Sequence, residues 1–127
     1  MNQEPTFSLR EASQQLHIEP STLRYFCNKG LIPGVRRNKR GYRVLTQPQI
    51  DLAFILLNMK QAGFTTAEIR QYSRLYRRGH ATITERTALL TTRKRQLWQE
   101  ITERQKAIDF IERQEELSQS RPTEDAG

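Results

Sequence analysis

No glycine or proline interrupts the sequence between Thr82 and Leu117. Thr82 is followed three positions later by Glu85, a pattern typical of a capping box at a helix start. We therefore predict one unbroken helix to about Leu117. A helix of this length spans roughly 50 Å at ~1.5 Å per residue. A domain formed by the preceding residues is too small to cover it, so this element predicts an elongated molecule.

The apolar residues of the long helix repeat with the rhythm of a coiled coil. Their spacings are 7, 4, 7 and 3 residues, with interruptions at Lys94 and Arg104. Such a stripe needs a facing helix, and a second copy of the chain is the simplest source of one. We therefore predict a homodimer whose seam consists of Leu90, Leu97, Ile101, Ile108 and Ile111.

Charge is distributed unevenly along the chain, whose net charge is +7. The residues up to Gly79 include 13 basic and 5 acidic side chains, whereas those from His80 onward include 8 basic and 9 acidic ones. A basic first part predicts binding to a polyanion, with nucleic acid as the leading candidate. A membrane is disfavoured as a partner because no segment is long and apolar enough to span or anchor.

The start of the chain and its cysteine content favour a cytoplasmic protein. The sequence does not start with a positively charged segment followed by an apolar one, which is the pattern of a secretion signal. Cys27 is the one cysteine, which excludes an internal disulfide and fits a reducing compartment. Cys27 could be a redox switch or only a small, partly buried side chain, and the sequence leaves both interpretations open.

Two short helices are predicted near the start of the chain. Ser8 and Glu11 have the spacing of a capping box before a helix over residues 9–16, whereas residues 1–6 are expected to be a loose start. Pro20 suits the first position of a second helix, which would run to about Lys29 and end at Gly30. Two short helices joined by a tight turn form a helix-turn-helix.

A strongly basic hairpin is predicted directly after these helices. Residues 35–37 and 42–45 can pair around the turn sequence NKRG. A solvated loop is the alternative, but a wing beside a helix-turn-helix is better explained by phosphates that neutralise the repulsion between its cations. Tyr42 could also donate a hydrogen bond to a phosphate. The basic residues of this wing are Arg36, Arg37, Lys39, Arg40 and Arg43.

The outer side of the second helix is the predicted reading surface. Recognition helices insert their first residues into the major groove of DNA. Arg24 could contact guanine or a phosphate, and the sequence does not choose between them. The outward residues near the helix start are Ser21, Thr22, Arg24 and Tyr25.

Two further capping boxes, at Thr46 with Gln49 and at Thr65 with Glu68, predict two more helices before the long one. The first should end before Gly63, and the second near Leu75. The side chains that we expect to face inward from the first are Ile50, Phe54, Leu57 and Met59.

Five motifs occur in order over these elements: TLRYF at residues 22–26, GL at 30–31, GYR at 41–43, GF at 63–64 and EI at 68–69. Together they make residues 6–117 resemble the MerR family of bacterial transcription regulators. The resemblance implies a winged helix-turn-helix head and a homodimer joined by an antiparallel coiled coil. It also implies DNA-contact roles for Arg24, Tyr25, Tyr42 and Arg43.

The same resemblance implies how such a protein would work. The dimer would bind a pseudopalindromic operator within a promoter spacer and distort the DNA, and would so affect RNA polymerase indirectly. An architectural, excisionase-like DNA-bending protein is the main alternative, and a protein-interaction adaptor is a second one.

No cofactor, metal site or enzymatic activity is predicted. Cys27 has no later cysteine to join it, and soft metal ions require thiolate ligands. No catalytic constellation or phosphate-binding glycine loop is recognisable. A small-molecule effector stays unidentified. The expected organisation is mainly α-helical, with a winged head over residues 1–79, a dimerisation helix over 80–117 and a disordered tail over 118–127.

Overall fold

The computed structural model describes residues 4–120. Its elements in chain order are β1 (Thr6–Ser8), α1 (Leu9–Leu16), α2 (Pro20–Asn28), β2 (Arg36–Arg37), β3 (Arg43–Thr46), α3 (Gln47–Gln61), α4 (Thr66–Arg77), a 3-10 turn (Gly79–Thr82) and α5 (Ile83–Ser120). The predicted fold class, a mainly helical chain with a winged helix-turn-helix and a long C-terminal helix, is confirmed.

Three of the four predicted capping boxes are confirmed by reciprocal hydrogen bonds. At each of them a hydroxyl oxygen accepts from the backbone N–H three residues later, and the side chain there accepts from the capping residue's own N–H. The pairs are Ser8 with Glu11, Thr46 with Gln49, and Thr65 with Glu68.

The long helix begins directly after Thr82, as predicted, but Thr82 does not form the predicted capping box with Glu85. Thr82 is buried in the 3-10 turn that leads directly into α5. Its hydroxyl donates to the carbonyl oxygen of Leu75, at the end of α4, and accepts a hydrogen bond of 3.0 Å from Nε of Arg86. The hydroxyl therefore satisfies the end of one helix and does not cap the next. α5 continues to Ser120, and the rest of the predicted tail lies outside the described residues.

A three-stranded antiparallel sheet supports the wing. Its strand order is β1-β3-β2, with Phe7 opposite Leu45 and Arg37 opposite Arg43. The hairpin of β2 and β3 was predicted, whereas β1 was not. β1 has only three residues and pairs with a strand almost forty positions later, so no local pattern indicates it.

The buried side chains of the head form one hydrophobic core. Its largest fully buried apolar members are Leu23, Phe26, Leu31, Leu45, Leu56 and Ile69. The prediction that Phe54 faces inward is wrong, because its side chain is 58% exposed. α3 is apolar on all sides around this residue, so periodicity alone could not identify the buried face.

The chain divides into two compact units, one up to Leu89 and one from Leu90 onward. The first unit contains the sheet, α1 to α4 and the beginning of α5, and the second contains the rest of α5. Within residues 4–120, no helix combines the length and apolar character that a membrane crossing needs.

Candidate nucleic-acid interface

The recognition helix α2 presents polar side chains because its apolar ones are used by the core. Pro20 occupies its first turn, where an N–H is not needed. Leu23 and Phe26 are buried, and this orients Arg24 and Tyr25 outward. Because a helix has a fixed periodicity, the burial of these two side chains determines which side chains of α2 face the solvent.

Tyr25 is the centre of a small basic cluster on this face. Its ring is 40% exposed and packs edge-on against Phe26, with 6.0 Å between ring centroids. The ammonium groups of Lys29 and Lys60 lie 5.7 Å and 5.6 Å from the centroid of the Tyr25 ring. Both distances are within cation–π range, so two positive charges accompany the phenol where a polyanion could approach.

Asn38 shapes the turn of the wing. Its Oδ1 accepts hydrogen bonds of 3.0 Å from the backbone N–H groups of Arg40 and Tyr42. Gly41 closes the turn with a φ of 86°, a conformation that glycine adopts without steric cost. The ring of Tyr42 is 67% exposed as a result, and its hydroxyl is available to a ligand.

An open groove of about 480 Å³ lies between the wing and the helices, and we call it the front groove. Its polar and charged side chains come from β1, α1, α2 and the wing, so four separate parts of the sequence meet there. The residues that line the front groove are Ser8, Leu9, Arg10, Pro20, Arg24, Arg37, Tyr42 and Arg43.

Two hydrogen bonds to neutral acceptors hold wing arginines beside this groove. Nη2 of Arg43 donates to Oδ1 of Asn28 at 2.7 Å, and Nη1 of Arg37 donates to the carbonyl oxygen of Gly41 at 2.8 Å. These acceptors carry no negative charge to offset that of the guanidinium groups, and each guanidinium keeps further N–H donors for a ligand.

The structure distributes the ten predicted DNA-binding residues over several surfaces. Arg24, Arg37, Tyr42 and Arg43 line the front groove. Ser21, Thr22 and Tyr25 line a shallower depression with Phe26 and Lys60. Arg36 lines a different groove with Glu4 and Thr6, and Lys39 and Arg40 are exposed at the tip of the wing.

Four polar residues at this interface were missed by sequence reasoning. Arg10 could have been found, because the first helix of a helix-turn-helix crosses the DNA backbone. Asn38 also had a local signal, since asparagine at the start of a turn accepts from backbone N–H groups. Asn28 and Lys60 had none, because their contacts to Arg43 and Tyr25 join distant parts of the chain.

Cys27 is half-buried on α2. Burial raises the pKa of its thiol, and the positive charge of Arg43 opposes this shift to a smaller extent. A thiol with a raised pKa is mostly protonated at neutral pH and is a poor nucleophile. This favours the interpretation of Cys27 as a packing residue. In the part of the chain that the structure describes, no group of three metal-ligating side chains comes together.

Comparison with known proteins identifies the family. The profile described as "MerR HTH family regulatory protein" matches residues 7–75, and the profile "MerR, DNA binding" matches residues 51–117. The chain belongs to the MerR family. It is therefore a DNA-binding transcription regulator and not an enzyme.

Individual relatives agree with this assignment. An uncharacterised HTH-type transcriptional regulator of Haemophilus influenzae is 26% identical over 107 residues, which cover 84% of this chain and 79% of the relative. The mercuric resistance operon regulatory protein of Bacillus cereus is 33% identical over 63 residues, which cover 50% of this chain and 48% of that protein.

A solved structure extends the similarity to the whole described fold. HiNmlR, a MerR family regulator lacking the sensor domain and bound to promoter DNA, superposes with a TM-score of 0.68 at 25% identity. The superposition covers 91% of each chain.

Proposed function

We propose that this MerR-family regulator acts as a homodimer that binds a pseudopalindromic operator between two promoter elements and distorts the DNA there. In each protomer α2 enters the major groove, where Ser21, Thr22, Arg24 and Tyr25 meet bases and phosphates. The wing contacts the adjoining backbone through Arg36, Arg37, Lys39, Arg40, Tyr42 and Arg43. RNA polymerase is affected indirectly, through the altered shape of the promoter.

The observation that carries this proposal is the front groove. It joins Arg24 of the recognition helix to Arg37, Tyr42 and Arg43 of the wing in one positively charged surface. A duplex presents a base-bearing groove flanked by phosphates, and this surface combines donors suited to both. The solved HiNmlR structure supports the choice of promoter DNA as the ligand.

Dimerisation is supported by the surface of α5. No side chain of α5 is buried within the single chain, and Leu90, Ile101, Ile108 and Ile111 are all exposed. With Leu97 they supply the apolar stripe that an antiparallel partner helix would cover. Two recognition helices related by a two-fold axis then require a pseudopalindromic operator.

The decisive experiment is a fluorescence anisotropy titration at two salt concentrations, with DNA from upstream of the protein's own gene and a scrambled control. A preference for the upstream DNA that persists at the higher salt supports a site-specific regulator. A circular-permutation mobility assay on the same complex then measures the bend. Equal affinities that fall together with salt would contradict the proposal and favour an architectural DNA-bending protein.

A further inference from the structure

Arg37 and Arg43 line a second groove as well as the front groove. This second groove has a volume of about 520 Å³ and lies between the wing, the end of α2 and α4. All of its charged lining residues are arginines, and none is acidic. We call it the arginine groove, and its charged residues are Arg37, Arg43, Arg70, Arg74 and Arg77.

Three arginines of this groove are held by hydrogen bonds to neutral acceptors. Arg70 donates from Nη2 to the backbone carbonyl of Lys29 at 2.9 Å, and Arg37 and Arg43 donate to the carbonyl of Gly41 and the amide of Asn28. Among residues 4–120, no carboxylate forms an ion pair with any of the five arginines. The repulsion between them is therefore not offset by an ion pair with any described carboxylate.

The spacing along α4 concentrates this charge on one face. Arg70, Arg74 and Arg77 are four and three residues apart, and side chains at these intervals are neighbours on a helix surface. Arg74 and Arg77 are exposed at the rim, whereas Arg70 is half-buried. Each guanidinium has five N–H donors in a planar fork, which matches the oxygen atoms of a phosphate group.

We propose that the arginine groove is a phosphate-binding site distinct from the front groove. Two sources could supply the phosphate. The first is the DNA backbone beside the wing, because Arg37 and Arg43 face both grooves and a strand that passes them comes within reach of α4. This source rests on the proposed function. The second is a small phosphorylated molecule bound by the free protein, which does not depend on operator binding.

The test compares two variants that lose the same charge. Arg74→Gln/Arg77→Gln removes the two exposed arginines of the groove. Arg78→Gln/Arg95→Gln removes two exposed arginines that do not line it. Glutamine keeps the helix propensity of arginine to a good approximation, so both variants should fold, and circular dichroism verifies this.

The first assay measures operator affinity against salt concentration. If DNA supplies the phosphate, the slope of log K against log salt falls in magnitude by about two to four for the groove variant, relative to the control variant, because a dimer loses four arginines. Wild-type protein that shows no preference for its operator contradicts the proposed function, and the second assay still tests the groove.

The second assay measures the thermal midpoint of the DNA-free protein in inorganic pyrophosphate, with sodium chloride of matched ionic strength as reference. If the free protein uses the site, pyrophosphate stabilises wild type and the control variant more than the groove variant. A loss in either assay supports the site and names its source. Equal behaviour of groove and control variants in both assays would overturn the proposal.

Discussion

Arg43 of the wing donates a hydrogen bond of 2.7 Å to the side-chain oxygen of Asn28, the last residue of the recognition helix. This contact bridges the two elements that are proposed to touch DNA together. The wing is also attached through the sheet and through Leu45 in the core, and this bond adds a direct link between β3 and α2. Preorganisation of this kind lowers the ordering cost of binding.

Asn28→Ala should therefore weaken operator binding more than it weakens the fold. A hydrogen bond to a charged group contributes about 1.5–3 kcal/mol when it is well sheltered, but this one is exposed. We expect a loss of stability below about 1 kcal/mol, and a fall in affinity of up to about tenfold. Anisotropy and urea denaturation measure the two effects.

Asn58→Ala is the matched control, because the exposed Asn58 amide donates only to the carbonyl of Phe54 in its own helix. Equal affinities of the Asn28 and Asn58 variants for the operator would show that the bond does not position the wing.

Asn38→Ala should loosen the tip of the wing. The side-chain oxygen of Asn38 accepts from the backbone of Arg40 and Tyr42, and alanine leaves both N–H groups to water. Hydrogen exchange measured by NMR should become faster at these two amides, while the amide of Leu45, within the sheet, keeps its protection. Unchanged exchange at Arg40 and Tyr42 would mean that the backbone bonds alone maintain the turn.

Features that depend on neighbouring residues could be predicted from the sequence. The capping boxes at Ser8, Thr46 and Thr65 and the turn at Gly41 require only a few adjacent side chains, and all of them form. The motif-based family assignment also holds. Thr82 shows the limit of this approach, because its hydroxyl finds a buried carbonyl seven residues earlier that the local pattern does not reveal.

Features that depend on tertiary contacts could not be predicted. β1 forms only because β3 lies beside it. The exposure of Phe54 is decided by which side of the continuous apolar run at residues 52–57 meets the core. In the candidate site, the contacts of Lys60 with Tyr25 and of Arg70 with the end of α2 link residues more than thirty positions apart, so no spacing rule could have indicated them.

Side chains that contact phosphates and side chains that read bases should respond differently to mutation. Tyr42→Phe and Arg43→Ala are expected to weaken binding to all DNA sequences, because phosphates are the same everywhere. Arg43→Ala should also reduce the magnitude of the salt slope by about two, one for each protomer of the proposed dimer. Anisotropy with a panel of single-base operator variants measures both quantities.

Arg24→Ala, tested on the same panel, determines whether Arg24 reads guanine. A base contact predicts relaxed preference at one position of each half-site, with a loss of about 1–3 kcal/mol per position against the original base. A uniform loss across the panel would assign Arg24 to the backbone. If Tyr42→Phe instead lost affinity for only some operator variants, Tyr42 would be assigned to base reading and not to phosphate contact.

Cys27 should behave as an unreactive thiol whose contribution to stability depends on pH. Burial raises the pKa of the Cys27 thiol in the folded state, so the folded state favours the neutral thiol. The neutral thiol therefore makes its full contribution to stability at pH values below the pKa that it has in the unfolded chain. This contribution is lost as pH rises through the raised folded value. The difference in unfolding free energy between wild type and Cys27→Ser should therefore shrink between neutral and alkaline pH, as measured by urea denaturation.

Alkylation provides the independent check on Cys27. Iodoacetamide should modify it more slowly at pH 8 than it modifies free cysteine, because less thiolate is present. Modification as fast as that of free cysteine, together with oxidant-dependent DNA binding that Cys27→Ser abolishes, would establish a redox switch instead.

Leu97→Asp should dissociate the proposed dimer. Leu97 lies in the middle of the apolar stripe of α5, and an unpaired carboxylate buried between two helices costs several kcal/mol. The dimer carries two such carboxylates, because each protomer has the substitution.

Gln99→Asp is the matched control. It adds the same charge on the opposite side of the helix by its periodicity, where Gln99 is exposed. Sedimentation equilibrium at micromolar concentration should find a monomer for the first variant and a dimer for the second. A Leu97→Asp protein that stayed dimeric would place the seam on another face of α5.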